Sequence, residues 1–88
     1  MKMTFSQKAW EDYLEWQRQD KKKFKRINTL FKNISRTPHE GLGDPEPLKY
    51  DWPNSNKSYW SRRIDIKNRL VYRVKENQII IAQCKYYY

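Results

Sequence analysis

Two arginines, one glutamate and a run of tyrosines are the residues of this chain best suited to chemistry. Arg63 and Arg69 lie in Tyr59-Trp60-Ser61-Arg62-Arg63-Ile64 and Asn68-Arg69-Leu70-Val71-Tyr72-Arg73-Val74, two stretches rich in β-branched and aromatic residues. A guanidinium is planar, permanently charged and able to grip a phosphate at two points. Glu46 sits in Asp44-Pro45-Glu46-Pro47-Leu48-Lys49, where two prolines hold it extended and Leu48 can anchor the far end. The sequence closes on Tyr86-Tyr87-Tyr88. These types match what metal-free RNA cleavage requires. A base takes the proton from a ribose 2′-OH, cations hold the charge gathering on the phosphorane, and an acid protonates the departing 5′ oxygen. Glu46 can be the base and the two arginines the clamp. A tyrosine, with a pKa of about 10, can stack on a base or serve as a reluctant acid. Two solvated arginines and an ordinary exposed glutamate between turn prolines would give the same pattern, so the residue types alone leave both readings open.

The elements that must position these groups follow from periodicity. In the two arginine-bearing stretches Leu70, Tyr72 and Val74 share one face of a strand and Arg69, Val71 and Arg73 the other. Asp65-Ile66-Lys67-Asn68 makes a turn between them, and the resulting hairpin turns Arg63 and Arg69 out from the same side of the sheet. Lys2 to Phe5 reads as a short first strand. Ser6 is an N-cap, Phe5 and Trp10 form a hydrophobic staple, and Ala9, Trp10, Tyr13 and Leu14 follow helical spacing over about residues 7–18. Asp20 caps a second helix, in which Phe24, Ile27, Leu30, Phe31 and Ile34 recur at three- and four-residue steps. Its other side carries Lys21, Lys22, Lys23, Lys25, Arg26 and Lys32, a charge run that fits a solvated face or, secondarily, an RNA backbone. Thr37-Pro38 ends the helix. From there to about Lys57 the chain reads as a loop that holds both glycines, all four prolines and the single histidine, His39. Glu76-Asn77 is a further turn. Gln78 to Lys85 is a last strand, with Ile80, Ala82 and Cys84 on one face and Ile79, Ile81 and Gln83 on the other. The order is β-αα-loop-βββ. It predicts an α+β domain, residues 1–88, with two helices on one face of a small, mainly antiparallel sheet and the other face open, polar and basic. Some of the terminal tyrosines are expected to fold back onto that face.

Composition narrows the partners. The 88 residues carry 19 Lys and Arg against 10 Asp and Glu, for a net charge of +9. Charge of that size favours polyanions, nucleic acid or an acidic protein. One cysteine and one histidine exclude an intrachain disulfide and argue against structural zinc, and no cofactor is implied. The start lacks the apolar run of a signal peptide, and Ile79-Ile80-Ile81-Ala82 is far too short to cross a bilayer. A reducing cytoplasm is the expected home.

Five segments carry a resemblance over nearly the whole chain: Trp10-x-x-Tyr13-x-x-Trp16-Gln17-x-x-Asp20-Lys21; Arg36-Thr37-Pro38; Glu40-Gly41-x-Gly43-x-Pro45-Glu46-Pro47-Leu48-Lys49; Trp60-Ser61-Arg62-Arg63-Ile64; and Asn68-Arg69-Leu70-Val71-Tyr72. In these the sequence resembles the YoeB toxins of the RelE/ParE superfamily of bacterial toxin–antitoxin systems. The resemblance implies a toxin that enters the ribosomal A site and cuts mRNA there. It also implies an acidic antitoxin resembling YefM; a homodimer is left open. By position the family's general base falls on Glu46, its cationic residues on Lys49, Arg63 and Arg69, and its terminal tyrosine on Tyr88. Arg62, inside the same motif, joins the expected phosphate-binding set. The family's penultimate histidine, its general acid, is replaced here by Tyr87, and a phenol gives up a proton far less readily than an imidazolium. The loop Asp51 to Ser58 is a few residues longer than is usual in the family. Three readings arise from the resemblance: a ribosome-dependent endoribonuclease, a catalytically impaired A-site or RNA binder, and, ranked below both, a gyrase poison of the ParE branch.

Overall fold

The computed structural model describes residues 1–48 and 59–86. Its elements in chain order are β1 (Lys2–Phe5), α1 (Gln7–Gln19), α2 (Lys21–Arg36), β2 (Glu46–Pro47), β3 (Trp60–Arg63), β4 (Arg69–Lys75) and β5 (Gln78–Gln83). The helices begin where their caps dictate. The Ser6 hydroxyl accepts from the Ala9 amide at 3.0 Å. The Asp20 carboxylate accepts from the amides of Lys22 and Lys23 at 3.1 and 3.2 Å, while the amide of Asp20 donates to the Trp16 carbonyl at 2.9 Å. One residue therefore ends α1 and starts α2, which forces a tight helix–helix corner without glycine; a cap of this kind contributes about 1 kcal/mol. The expected staple is present, with the Phe5 and Trp10 rings edge to face at 5.7 Å.

The strands form one five-stranded sheet in the order β1-β5-β4-β3-β2. β1 runs parallel to β5, and every other neighbour is antiparallel. Both helices contribute to a core on one side of the sheet, where Ile27, Leu30, Phe31 and Ile34 of α2 and Ala9 and Trp16 of α1 meet Leu70, Tyr72, Ile79 and Ile81. This is the expected α+β arrangement.

Two local readings change. Glu46 and Pro47 form an edge strand against β3 rather than loop; proline fits there because an edge residue needs no ladder donor. On β5, a lone cysteine reads as a small buried apolar residue, but strict alternation sets Cys84 on the face opposite Ile79 and Ile81. A register shift makes Val71 face Gln83 while Tyr72 faces Ile81, so Ala82 is the extra residue of a β-bulge, and a bulge re-aims the side chains beyond it. Gln83 therefore joins Val71 on the face away from the helices, and Cys84 is fully buried in the core. Burial pushes its thiol up to about 12.

Candidate functional site

The register of β2, β3 and β4 builds the site. Glu46 pairs with Ser61, Ser61 with Val71, and Arg63 with Arg69. Directly paired residues project from the same side, so Glu46, Ser61, Arg63, Val71 and Arg69 share the face turned away from the helices. Glu46 stands diagonally from Arg63, one strand over and one pleat along, a backbone separation of roughly 7–8 Å. Glu46 and Arg63 are thus near neighbours on one face, with Arg69 one strand beyond Arg63.

Arg63 and Arg69 are like charges placed directly opposite, an arrangement that disfavours the sheet unless something offsets it. Each has local help. The Arg63 side chain, half exposed, lies 3.6 Å from the exposed Asp44 carboxylate. Arg69 is buried, and its guanidinium donates to the carbonyls of Asp65 at 2.9 Å and Asn68 at 3.3 Å. A bound anion between the pair would remove the repulsion that remains. The turn below Arg69 is held by Asp65, whose Oδ1 accepts from the amides of Lys67 (2.8 Å) and Asn68 (2.7 Å). Lys23 of α2 reaches the same carboxylate at 3.2 Å. Partial burial raises the Asp65 carboxyl, but these bonds outweigh it and hold the group below its ordinary value.

The loop ahead of Glu46 is pinned by close backbone approach. The Arg63 amide donates to the Gly43 carbonyl at 2.6 Å. Gly43 has φ +79°, and a Cβ there would meet the backbone N and O of Arg63 at 3.1 Å, so glycine is required twice over.

Arg62 is not in the site. It alternates with Arg63 onto the helix side and is completely buried. Its guanidinium donates to Asn33 Oδ1 (2.7 Å), the carbonyls of Leu42 (2.8 Å), Thr37 (2.7 Å), Glu40 (3.0 Å) and Pro38 (3.4 Å), and the Tyr72 hydroxyl (3.0 Å). These acceptors are neutral, and the negative end of α2, capped by Thr37, helps balance the charge. The expectation of Arg62 as a phosphate ligand gives way to a structural role: it fastens the segment 37–42 to β3.

Nor does His39 approach the site; its ring packs on Trp60 at 4.5 Å, and Trp60 alternates with Ser61 onto the helix side. The face bearing the arginines is less open than expected, since Ser61, Val71 and Gln83 are buried. Lys49, Tyr87, Tyr88 and the loop Asp51 to Ser58 lie outside the described residues. The last described residue, Tyr86, is anchored beside Arg69. Its amide donates to Asn68 Oδ1 at 2.6 Å, and its carbonyl accepts from the Arg69 amide at 3.0 Å. Sequence reasoning gave Asn68 no role in the site, although it ends a turn and opens the segment Asn68-Arg69-Leu70-Val71-Tyr72. No helix among the described residues is long and apolar enough to cross a membrane.

Comparison with known proteins gives a consistent picture. A family profile described as "YoeB-like toxin of bacterial type II toxin-antitoxin system" matches residues 5–88. Toxin YoeB of Escherichia coli K12 is 48% identical over 88 residues, covering all of both chains. Among solved structures, the YoeB/ParE toxin from Agrobacterium tumefaciens superposes with a TM-score of 0.91 at 43% identity over the whole of both chains. A YoeB dimer from Staphylococcus aureus gives 0.87 at 49% identity, covering 100% of this chain and 98% of that one. A heterotetrameric YoeB-YefM toxin–antitoxin complex from the same species gives 0.85 at 48%, with the same coverage.

Proposed function

Since the chain belongs to the YoeB-like toxins of bacterial type II toxin–antitoxin systems, we propose that it is a ribosome-dependent endoribonuclease that cuts mRNA in the A site, through the chain's own acid–base groups. The observation that carries this reading is the shared face of Glu46, Arg63 and Arg69 fixed by the β2–β3–β4 register. Glu46 is the base for the ribose 2′-OH. Arg63 and Arg69, with Lys49, hold the phosphate as negative charge builds on it. Tyr87 protonates the departing 5′ oxygen, and Tyr88 stacks on a base. The attack joins the 2′ oxygen to phosphorus and expels the 5′ oxygen, which takes the acid's proton. An acidic YefM-like antitoxin is the partner that silences the toxin. The net charge of +9 and the half-exposed Arg63 support it, and the Staphylococcus aureus relative is seen with YefM. Action on ribosomes places the protein in the cytoplasm.

The test is purified protein added to programmed ribosomes, with cuts mapped by primer extension. Cuts at the A-site codon that vanish with Glu46→Gln are expected. Intact mRNA with the unsubstituted protein overturns the reading. One feature favours a second reading, a toxin that occupies the A site without cutting: Tyr87 stands where the family has histidine. Cleavage that appears only in Tyr87→His would establish it.

A further inference from the structure

The segment that leads from β5 toward the arginines is gripped by one face of α1. Residues 8, 9, 12, 15 and 16 recur at helical spacing, and all touch residues 84–86. The buried Asp12 carboxylate accepts from the Cys84 amide at 3.1 Å. Trp16 Nε1 donates to the Cys84 carbonyl at 2.6 Å. Both polar groups of one peptide residue are thus held by side chains from a helix more than sixty residues away in sequence. Cys84 Sγ packs on the Ala9 carbonyl at 3.5 Å. Glu15 pairs with Lys85, and Lys8, which also pairs with Asp12 at 2.9 Å, lies over the Tyr86 ring at 5.3 Å.

Beyond this grip, Tyr86 adopts φ +69°. A left-handed conformation is uncommon at a bulky non-glycine residue and needs support from its surroundings. Here the backbone is fixed on both sides: α1 holds Cys84, and Asn68 and Arg69 hold the amide and carbonyl of Tyr86. A segment serving only to cover apolar surface would need neither the buried carboxylate nor the left-handed turn.

We propose that Asp12 and Trp16 are positioning residues, acting through Cys84 to hold the backbone of Tyr86 in place beside Arg69. They touch neither substrate nor the reacting atoms. Their effect on cleavage rests on the function proposed above, in which the tyrosines after Tyr86 take part. Reacting groups displaced by about 1 Å can lose roughly 100-fold in rate, so a backbone loosened at Cys84 lowers turnover more than ribosome affinity.

The experiment compares the unsubstituted protein with Trp16→Phe, which keeps the ring's bulk and deletes the Nε1 donor, and with Asp12→Asn, close in shape but uncharged. Glu11→Ala, on the exposed side of α1, is the control. Thermal melts confirm that each variant is folded; if Trp16→Phe is not, Asp12→Asn carries the test. Two quantities are read: the backbone order parameter of Tyr86 by NMR on the free protein, and the rate and half-saturating concentration of mRNA cleavage on programmed ribosomes. The proposal expects the Tyr86 order parameter to fall from about 0.85 to below about 0.6. It expects cleavage at saturation to fall about 10- to 100-fold for Trp16→Phe, less for Asp12→Asn, with half-saturation unchanged and the Glu11→Ala values unmoved. A Tyr86 amide as rigid in the folded variants as in the unsubstituted protein overturns it. So does a shift of half-saturation that accounts for the whole loss of activity. If the unsubstituted protein leaves mRNA intact, the nuclease reading fails, and the Tyr86 measurement still decides the grip.

Discussion

Replacing Arg62 by methionine is the sharpest test of how this fold is held together. Arg62 donates to six oxygen acceptors from a completely buried position. A hydrogen bond to a charged group contributes about 1.5–3 kcal/mol, and a buried acceptor left empty costs about 1–3 kcal/mol. The six do not simply add. Glu40 and Leu42 lie in exposed loop, where water can replace the guanidinium, and the Tyr72 hydroxyl keeps its own bond to the Pro38 carbonyl. Asn33 Oδ1 also keeps the Leu42 amide at 3.0 Å. The discounted loss is about 3 kcal/mol, the worth of one or two such bonds rather than six. An 88-residue chain has roughly 4–13 kcal/mol in all. Urea denaturation followed by tryptophan fluorescence should therefore show the midpoint of Arg62→Met falling by roughly 2–3 M, taking a slope near 1–1.5 kcal/mol per M. Arg62→Lys should recover less than half of this, since an ammonium has three donors and lacks the planar fork. A midpoint equivalent to within about 0.5 kcal/mol of the parent is the behaviour of a surface substitution. That result would refute the structural role and return Arg62 to the phosphate-binding set.

Two further outcomes can be checked on the purified protein. Cys84 is fully buried with its thiol raised to about 12, so the folded protein should resist iodoacetamide at pH 8 and label stoichiometrically in denaturant; labelling of the folded form within minutes would contradict the bulge geometry. The Asp65 carboxyl is held below its ordinary 3.8 by the amides of its turn and by Lys23, so its contribution to stability is complete above about pH 4 and is lost as pH falls through 3.8 toward the folded-state value. Asp65→Asn should lower the melting temperature at pH 7 and flatten its decline below pH 4, and an unchanged acid limb in that variant would contradict the assignment.

Much of this architecture is readable in the residues, and the exceptions have physical causes. Ser6 and Asp20 announce both helices because a short side-chain oxygen before an apolar periodic run has one obvious use. The hairpin and the common side of Arg63 and Arg69 follow from alternation alone. Alternation also puts Arg62 with Trp60 and Ile64, on the core side. Charge argued for the surface, but the C-terminal oxygens of α2 and a carbonyl-rich loop supply a buried setting that only the tertiary fold assembles. Glu46 reads as loop because its strand is two residues long and contains proline. The burial of Cys84 follows from its type, but the side of β5 it takes depends on one extra residue, and a single bulge leaves no trace in composition. The attachment of the final segment to α1 joins residues about seventy positions apart, beyond the reach of any local pattern.

Ser6 has a consequence beyond its helix. The hydroxyl that accepts from Ala9 also donates to the Ala82 carbonyl at 2.7 Å, and the Ser6 amide donates to Ile81 at 2.9 Å. The hydroxyl bond joins residues 76 positions apart in the chain, a closure that chain entropy alone opposes by about 4 kcal/mol. The acceptor is the carbonyl of the bulged residue, two positions before Cys84. A single small side chain thus latches the start of the first helix to the turning point of the last strand, so that fraying at either one is felt by the other.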